Sequence, residues 1–106
     1  MTYQVEEIIG KTAYDSQHNK VGTVQDIYED QNSHEPTWMT VSTGFMGAKQ
    51  TFVPLSLAHA TDDELIIETS KDAIDDAPKV SVNDELTVDD EQILYKYYEA
   101  VVGSQA

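Results

Sequence analysis

For about its first 70 residues the chain alternates apolar and polar positions in short runs, and near its end it changes to a helical period. Val5, Ile8 and Ile9, beside Glu6 and Glu7, form either a helical turn or an extended entry that Gly10 closes. Residues 11–14 (KTAY) and 21–28 (VGTVQDIY) read as two strands around the polar turn 15–20, a hairpin. In the second strand Val24 and Ile27 stand three apart, so both face one core only if an extra residue is inserted. That spacing predicts a β-bulge, with the bend near Gln25 and Asp26.

Beyond the polar stretch 29–35, residues 37–43 put Met39 and Val41 on one face and Trp38, Thr40 and Ser42 on the other, the pattern of a half-buried strand. Residues 44–49 turn the chain into a strand at 50–55, whose Pro54 lacks an N–H and belongs at a strand end or sheet edge. A turn at 60–63 leads into a strand at 65–69. Ser70 is placed to cap a short helical turn over 71–76 that Pro78 stops, and residues 79–82 can add a last short strand. Thr87 with Asp90 resembles a capping box, and Asp89, Asp90 and Glu91 lie where a helix N-terminus favours negative charge. Ile93, Leu94, Tyr97, Tyr98 and Val101 then recur at helical spacing, predicting a helix over about 88–101 with Gly103 as its stop. The expected fold is mainly β: one domain, with a small barrel of five or six short strands over about 8–83 and a C-terminal α-helix.

Composition narrows the possible partners. The 106 residues hold 6 lysines and 20 acidic residues, a formal charge of −14, and 13 of the acids lie in residues 54–106. Val, Ile, Leu and Phe make up about 23% of the chain, above the roughly 20% below which a highly charged sequence stays disordered. The six cations are scattered singly, which excludes the clustered charge needed on a nucleic-acid backbone and disfavours an anionic membrane. Cysteine is absent, which removes disulfides, thiolate nucleophiles and Cys-based metal sites. The N-terminus has no basic start, and no stretch nears the ~18 apolar residues of a membrane span, so a soluble, cytoplasmic chain without membrane insertion is expected.

Four segments in order, Gly10-Lys11-Thr12-Ala13-Tyr14-Asp15, Val21-Gly22-Thr23-Val24, Trp38-Met39-Thr40-Val41 and Phe52-Val53-Pro54-Leu55, resemble the PRC-barrel family. Residues 71–78 and the ending from Leu86 through Tyr98 are similar to stand-alone bacterial members that close with a helix. The resemblance spans about residues 8–101. It implies a β-barrel that docks on another macromolecule, as in the reaction-centre H subunit and the ribosome maturation factor RimM, and it brings no catalytic residues.

The remaining chemistry is sparse. Asp62-Asp63-Glu64, Asp75-Asp76 and Asp89-Asp90-Glu91 diverge as neighbours on turns and helix starts, where a hard cation wants converging oxygens. A calcium loop starting at Asp15 is excluded because Lys20 occupies the position that needs glycine. His18, His34 and His59 fall in turns, with no i, i+4 pair and no nucleophilic serine motif. Gly44-x-x-Gly47 is not a phosphate loop. No catalytic, metal or cofactor residue is therefore expected. Phe45 and Met46 sit at a hairpin tip, either as a contact patch or folded back onto the barrel. Tyr97 and Tyr98 join the buried stripe of the helix while Tyr95 points elsewhere, and Trp38 either lines an interface or lies under the helix. The expectation is a non-enzymatic protein-interaction module, self-associating as a homodimer, with Phe45, Met46, Trp38 and Tyr95 as its surface. The alternative is a small-ligand or divalent-cation binder using the acidic C-terminal half.

Overall fold

A computed structural model of the chain describes residues 5–30, 32–43, 49–78, 80 and 86–104. A 3₁₀ turn, Val5–Ile8, enters a sheet of six strands: β1 (Thr12–Tyr14), β2 (Lys20–Glu29), β3 (Pro36–Thr43), β4 (Lys49–Pro54), β5 (Ala58–Ala60) and β6 (Glu64–Ile67). A second 3₁₀ turn, Leu55–Leu57, joins β4 to β5, and two helices follow, α1 (Lys71–Asp75) and α2 (Val88–Ser104). The sheet order is β4-β3-β2-β1-β6-β5, antiparallel except for the parallel β1–β6 pair. It curls into a half-barrel with α2 packed on one face, a mainly β architecture of the small PRC-barrel kind. No helix among the described residues is long and apolar enough to cross a membrane.

The curl has local causes. Between Val24 and Asp26 the β2–β3 register skips Gln25, and the Asp26 N–H donates to Thr40 Oγ1 at 3.2 Å. This is the bulge that the Val24–Ile27 spacing predicts, and it sharpens the right-handed twist. At Gly22 β3 comes so close that a Cβ would stand 1.6 Å from the Ser42 carbonyl oxygen, so no other residue fits without moving that strand.

Each face of the sheet carries its own core. Inside the curl, Ala13, Val24, Met39, Val41, Val53, Leu65 and Ile67 pack with Ile8 and with Ile74 of α1. On the outer face Tyr28, Trp38 and Phe52 pack with Ala77, Leu86, Leu94 and Tyr98. Asp15 sews the inner end shut. Its buried carboxylate accepts the backbone N–H groups of Gln17, Asn19 and Lys71 (2.7–2.9 Å) and the Asn19 amide. Burial pushes this carboxyl up, and the four donors outweigh it and hold it below the ordinary value.

Both caps read from sequence form. Ser70 Oγ accepts the Ala73 N–H and Thr87 Oγ1 accepts the Asp90 N–H, each at 3.1 Å. Two expectations are corrected. The helix continues through Gly103 to Ser104, since one glycine in a terminal turn costs only about 1 kcal/mol. Ile93 lies 49% exposed, because the stripe that meets the sheet runs through Glu91, Leu94 and Tyr98, more than a quarter-turn away. The sequence predicts no strand at β5, whose last residue, Ala60, falls in the turn expected over 60–63. Its three residues, two of them alanine, carry too little strand preference to register. The strand expected over 79–82 lies outside the described residues except for Val80, which is irregular.

Candidate functional site

The docked stripe of α2 is held by polar anchors as well as by packing. Trp38 is fully buried, and its Nε1–H donates to Glu91 Oε2 at 2.8 Å. Glu91, expected as one of the acids of the helix start, is itself buried against the sheet. The Tyr98 hydroxyl donates to the Phe52 carbonyl (2.6 Å) and the Tyr97 hydroxyl to the Ala73 carbonyl (2.5 Å). Burial pushes both phenols up, with Asp76 adding to the effect at Tyr97. The helix thus covers the outer face of β2–β4 and ties it to α1.

One flank of the same helix stays open. Between Tyr95, Tyr98, Glu99 and Val102 on α2 and the Leu55–Ala60 segment lies a mostly apolar groove of about 1080 Å³, bounded at one end by Pro36, Thr37 and Pro54. Val102 is 47% and Tyr95 37% exposed, and Leu57, Ala58 and Ala60 are half-buried. Tyr95 is positioned from two sides. Its ring packs on Trp38 with centroids 4.9 Å apart, and its hydroxyl donates to Asp30 Oδ2 at 2.5 Å. Asp30 Oδ1 takes the N–H groups of Asn32 and Ser33 (2.8 and 2.9 Å), so one carboxylate shapes the β2–β3 turn and fixes the tyrosine. The tyrosine hydroxyl, helped by those amides, lowers the Asp30 carboxyl to about 2, while burial and the Asp30 charge push the Tyr95 phenol up.

Of the four residues expected to form an interaction surface, Tyr95 lies on the groove and Trp38 does not. Trp38 takes the other of its two sequence readings, as the covered floor beneath α2, because its face of β3 is where the helix docks. Phe45 and Met46 lie outside the described residues. The groove's other wall, Leu55 to Ala60, was missed. Its signal was faint: beyond Pro54 the chain keeps Leu55, Leu57 and Ala58 with only Ser56 and His59 as polar residues before Thr61, and Val102 falls off the buried helical stripe.

The groove's titratable groups are His59, Tyr95, Tyr98 and Glu99, and among the described residues none of them hydrogen-bonds another. His18 stacks flat on Tyr14 with centroids 4.2 Å apart and its Nε2 lies 3.1 Å from Glu64 Oε1, on the β1–β6 side. Among the described residues no three His, Asp or Glu side chains converge as metal ligands would. An arrangement of this kind can bind apolar surface and orient it with a few polar groups.

No curated protein matches the chain. A family model for the PRC-barrel domain matches residues 1–74, the whole sheet and α1 up to Ile74, but not α2.

Proposed function

Because the chain belongs to the PRC-barrel domain family, we propose that it is a non-catalytic docking module that binds another protein through the groove between α2 and the Leu55–Ala60 segment. The observation that carries this reading is the groove itself. It is a broad apolar surface with half-exposed Val102 and a tyrosine held in place from two sides, on a chain otherwise rich in charge. A fixed aromatic beside apolar area is the usual anchor of a protein interface. Self-association draws less support. Two copies at −14 repel each other, Trp38 is buried, and a groove-to-groove contact would bring a second Glu99 to a surface that already carries one and, among the described residues, no lysine.

The test is site-directed photo-crosslinking in cells. A benzophenone side chain at position 102 should give a discrete adduct whose partner is not this chain, and the same group at Gln25, on the exposed bulge of β2, should not give that adduct. Adducts of equal yield from both positions would sink the groove as the working surface. A second reading, a small apolar ligand, is favoured by the volume alone, which is at the upper end of the roughly 300–1,000 Å³ of small-molecule sites. A melting-temperature rise with a soluble hydrophobe, lost in Val102→Asp, would favour it.

A further inference from the structure

We propose, on the basis of the groove as a protein-docking surface, that its occupant is an extended segment of another protein with alternating basic and apolar residues, which adds as a strand to the free edge of β5. β5 ends the sheet: it pairs with β6 and, among the described residues, with no other strand. The Glu68 N–H donates to the Leu57 carbonyl (2.9 Å) and the Thr61 N–H to the Glu64 carbonyl (2.8 Å). In an antiparallel ladder alternate residues turn their polar groups to the partner, so 57, 59 and 61 face β6 while 58 and 60 face away. The Ala58 N–H is taken by the Leu55 carbonyl. The Ala58 carbonyl and both backbone groups of Ala60 are left pointing outward, and all three residues of β5 line the groove.

That edge decides the shape of the partner. A helix laid in the groove would shield the outward groups of Ala60 from water without pairing them, a desolvation that costs more than the apolar contact returns at those atoms. A strand satisfies them and sends alternate side chains into the apolar floor. About six residues, roughly 20 Å of extended chain, cover β5 and the groove beyond it.

Charge decides its composition. Among the described residues no lysine lines the groove, and Glu99 stands on its α2 wall. Asp30 reaches one end through Tyr95, and at the other end β5 runs into exposed Asp62 and Asp63. At that end the Lys11 ammonium donates to the carbonyls of Thr61 and Asp62 and forms no ion pair among the described residues. Side chains on the outward face of an added strand therefore meet a rim of carboxylates, which selects lysine or arginine and repels an acidic segment or a second copy of this chain.

The experiment is fluorescence anisotropy of the full chain with dye-labelled ten-residue peptides. One alternates valine and lysine, a second replaces lysine by glutamate, a third reorders the first to a helical period, and a fourth is the first with alternate amides N-methylated. The valine–lysine peptide should bind at least tenfold more tightly than the other three, and its affinity should fall as salt rises. Ala60→Pro removes an N–H that β6 does not use and should weaken it tenfold or more. Glu99→Lys should weaken it several-fold, and if the proline variant fails to fold, by circular dichroism, Val102→Asn, which removes apolar wall without adding a carboxylate, stands in for it. Equal binding of the N-methylated or reordered peptide, or binding untouched by these substitutions, would overturn strand addition. No peptide binding alongside a groove-specific crosslink at position 102 would overturn this partner and leave the docking function standing. Loss of both would overturn the two together.

Discussion

Replacing Glu91 by alanine leaves the indole N–H of Trp38 with no acceptor in a site that water does not reach, since Trp38 is 0% and Glu91 3% exposed. An orphaned buried donor costs about 1–3 kcal/mol, and the one methylene lost from a buried side chain adds about 0.8 kcal/mol. Relief from burying a carboxylate in a chain of charge −14 offsets part of that. The expected net loss is about 1–3 kcal/mol. Glu91→Gln keeps the volume and an oxygen for the indole, and it exchanges a bond to a carboxylate for one to an amide. The weaker bond, about 1 kcal/mol, is set against the lower desolvation, so this variant should fall within about 1 kcal/mol of the parent. Trp38 is the single tryptophan of the chain, which makes urea unfolding followed by its emission a direct assay. The alanine variant should unfold at lower urea with an unchanged slope, and for a domain of this size its melting temperature should drop by roughly 5 °C or more. A glutamine variant as unstable as the alanine one would refute the acceptor role, because shape and hydrogen bond would then count for nothing beside charge. An alanine variant within about 0.5 kcal/mol of the parent would refute the dry, tightly packed contact itself.

Asp15→Ala removes the acceptor of three backbone N–H groups and one side-chain amide; it should cost about 2–4 kcal/mol in urea unfolding and speed hydrogen exchange at the Lys71 amide, with Asn costing about half as much. Gly22→Ala drives a Cβ into the Ser42 carbonyl, so a loss of at least about 3 kcal/mol or outright failure to fold is expected by circular dichroism, and a native-like melt would mean that β3 yields there. Asp30, at about 2 in the fold against 3.8 ordinarily, and Asp15, also lowered, contribute stability present above about pH 4 and lost as pH falls toward 2. The acid limb of the melting curve should therefore be flatter in Asp30→Asn. Tyr95 and Tyr98 are raised above 10, so their contribution is full below pH 10 and declines as pH rises past it, and Tyr98→Phe should flatten that alkaline limb.

The parts of the fold legible in the sequence were those with a local physical signature. The Val24–Ile27 spacing places the bulge at Gln25, and Ser70 and Thr87 cap their helices because hydroxyl and amide are neighbours in the chain. Longer-range facts left no such mark. Whether Trp38 met solvent or the helix depended on which face of β3 received α2, a choice made 53 residues away at Glu91. β5 is held by β6 and the preceding turn, not by its own Ala-His-Ala, and the groove exists only because that strand and the flank of α2 come to the same place. Tyr95 was singled out correctly as the tyrosine off the buried stripe, but its anchoring by Asp30 crosses 65 positions.

α2 carries two functions on adjoining stripes. Through Glu91, Leu94 and Tyr98 it buries Tyr28, Trp38 and Phe52, three aromatic side chains that a bare half-barrel would expose as a patch prone to aggregation. Through Tyr95, Glu99 and Val102, displaced by about a quarter-turn, it raises one wall beside the edge strand β5. The family match ends at residue 74, so the sheet and its free edge lie within the matched residues and the helical wall lies beyond them. A partner strand on β5 would be recognised by its backbone through the barrel and by its side chains through the helix. Substitutions at 95, 99 and 102 should then change which sequences bind, while Ala60→Pro should weaken all of them alike.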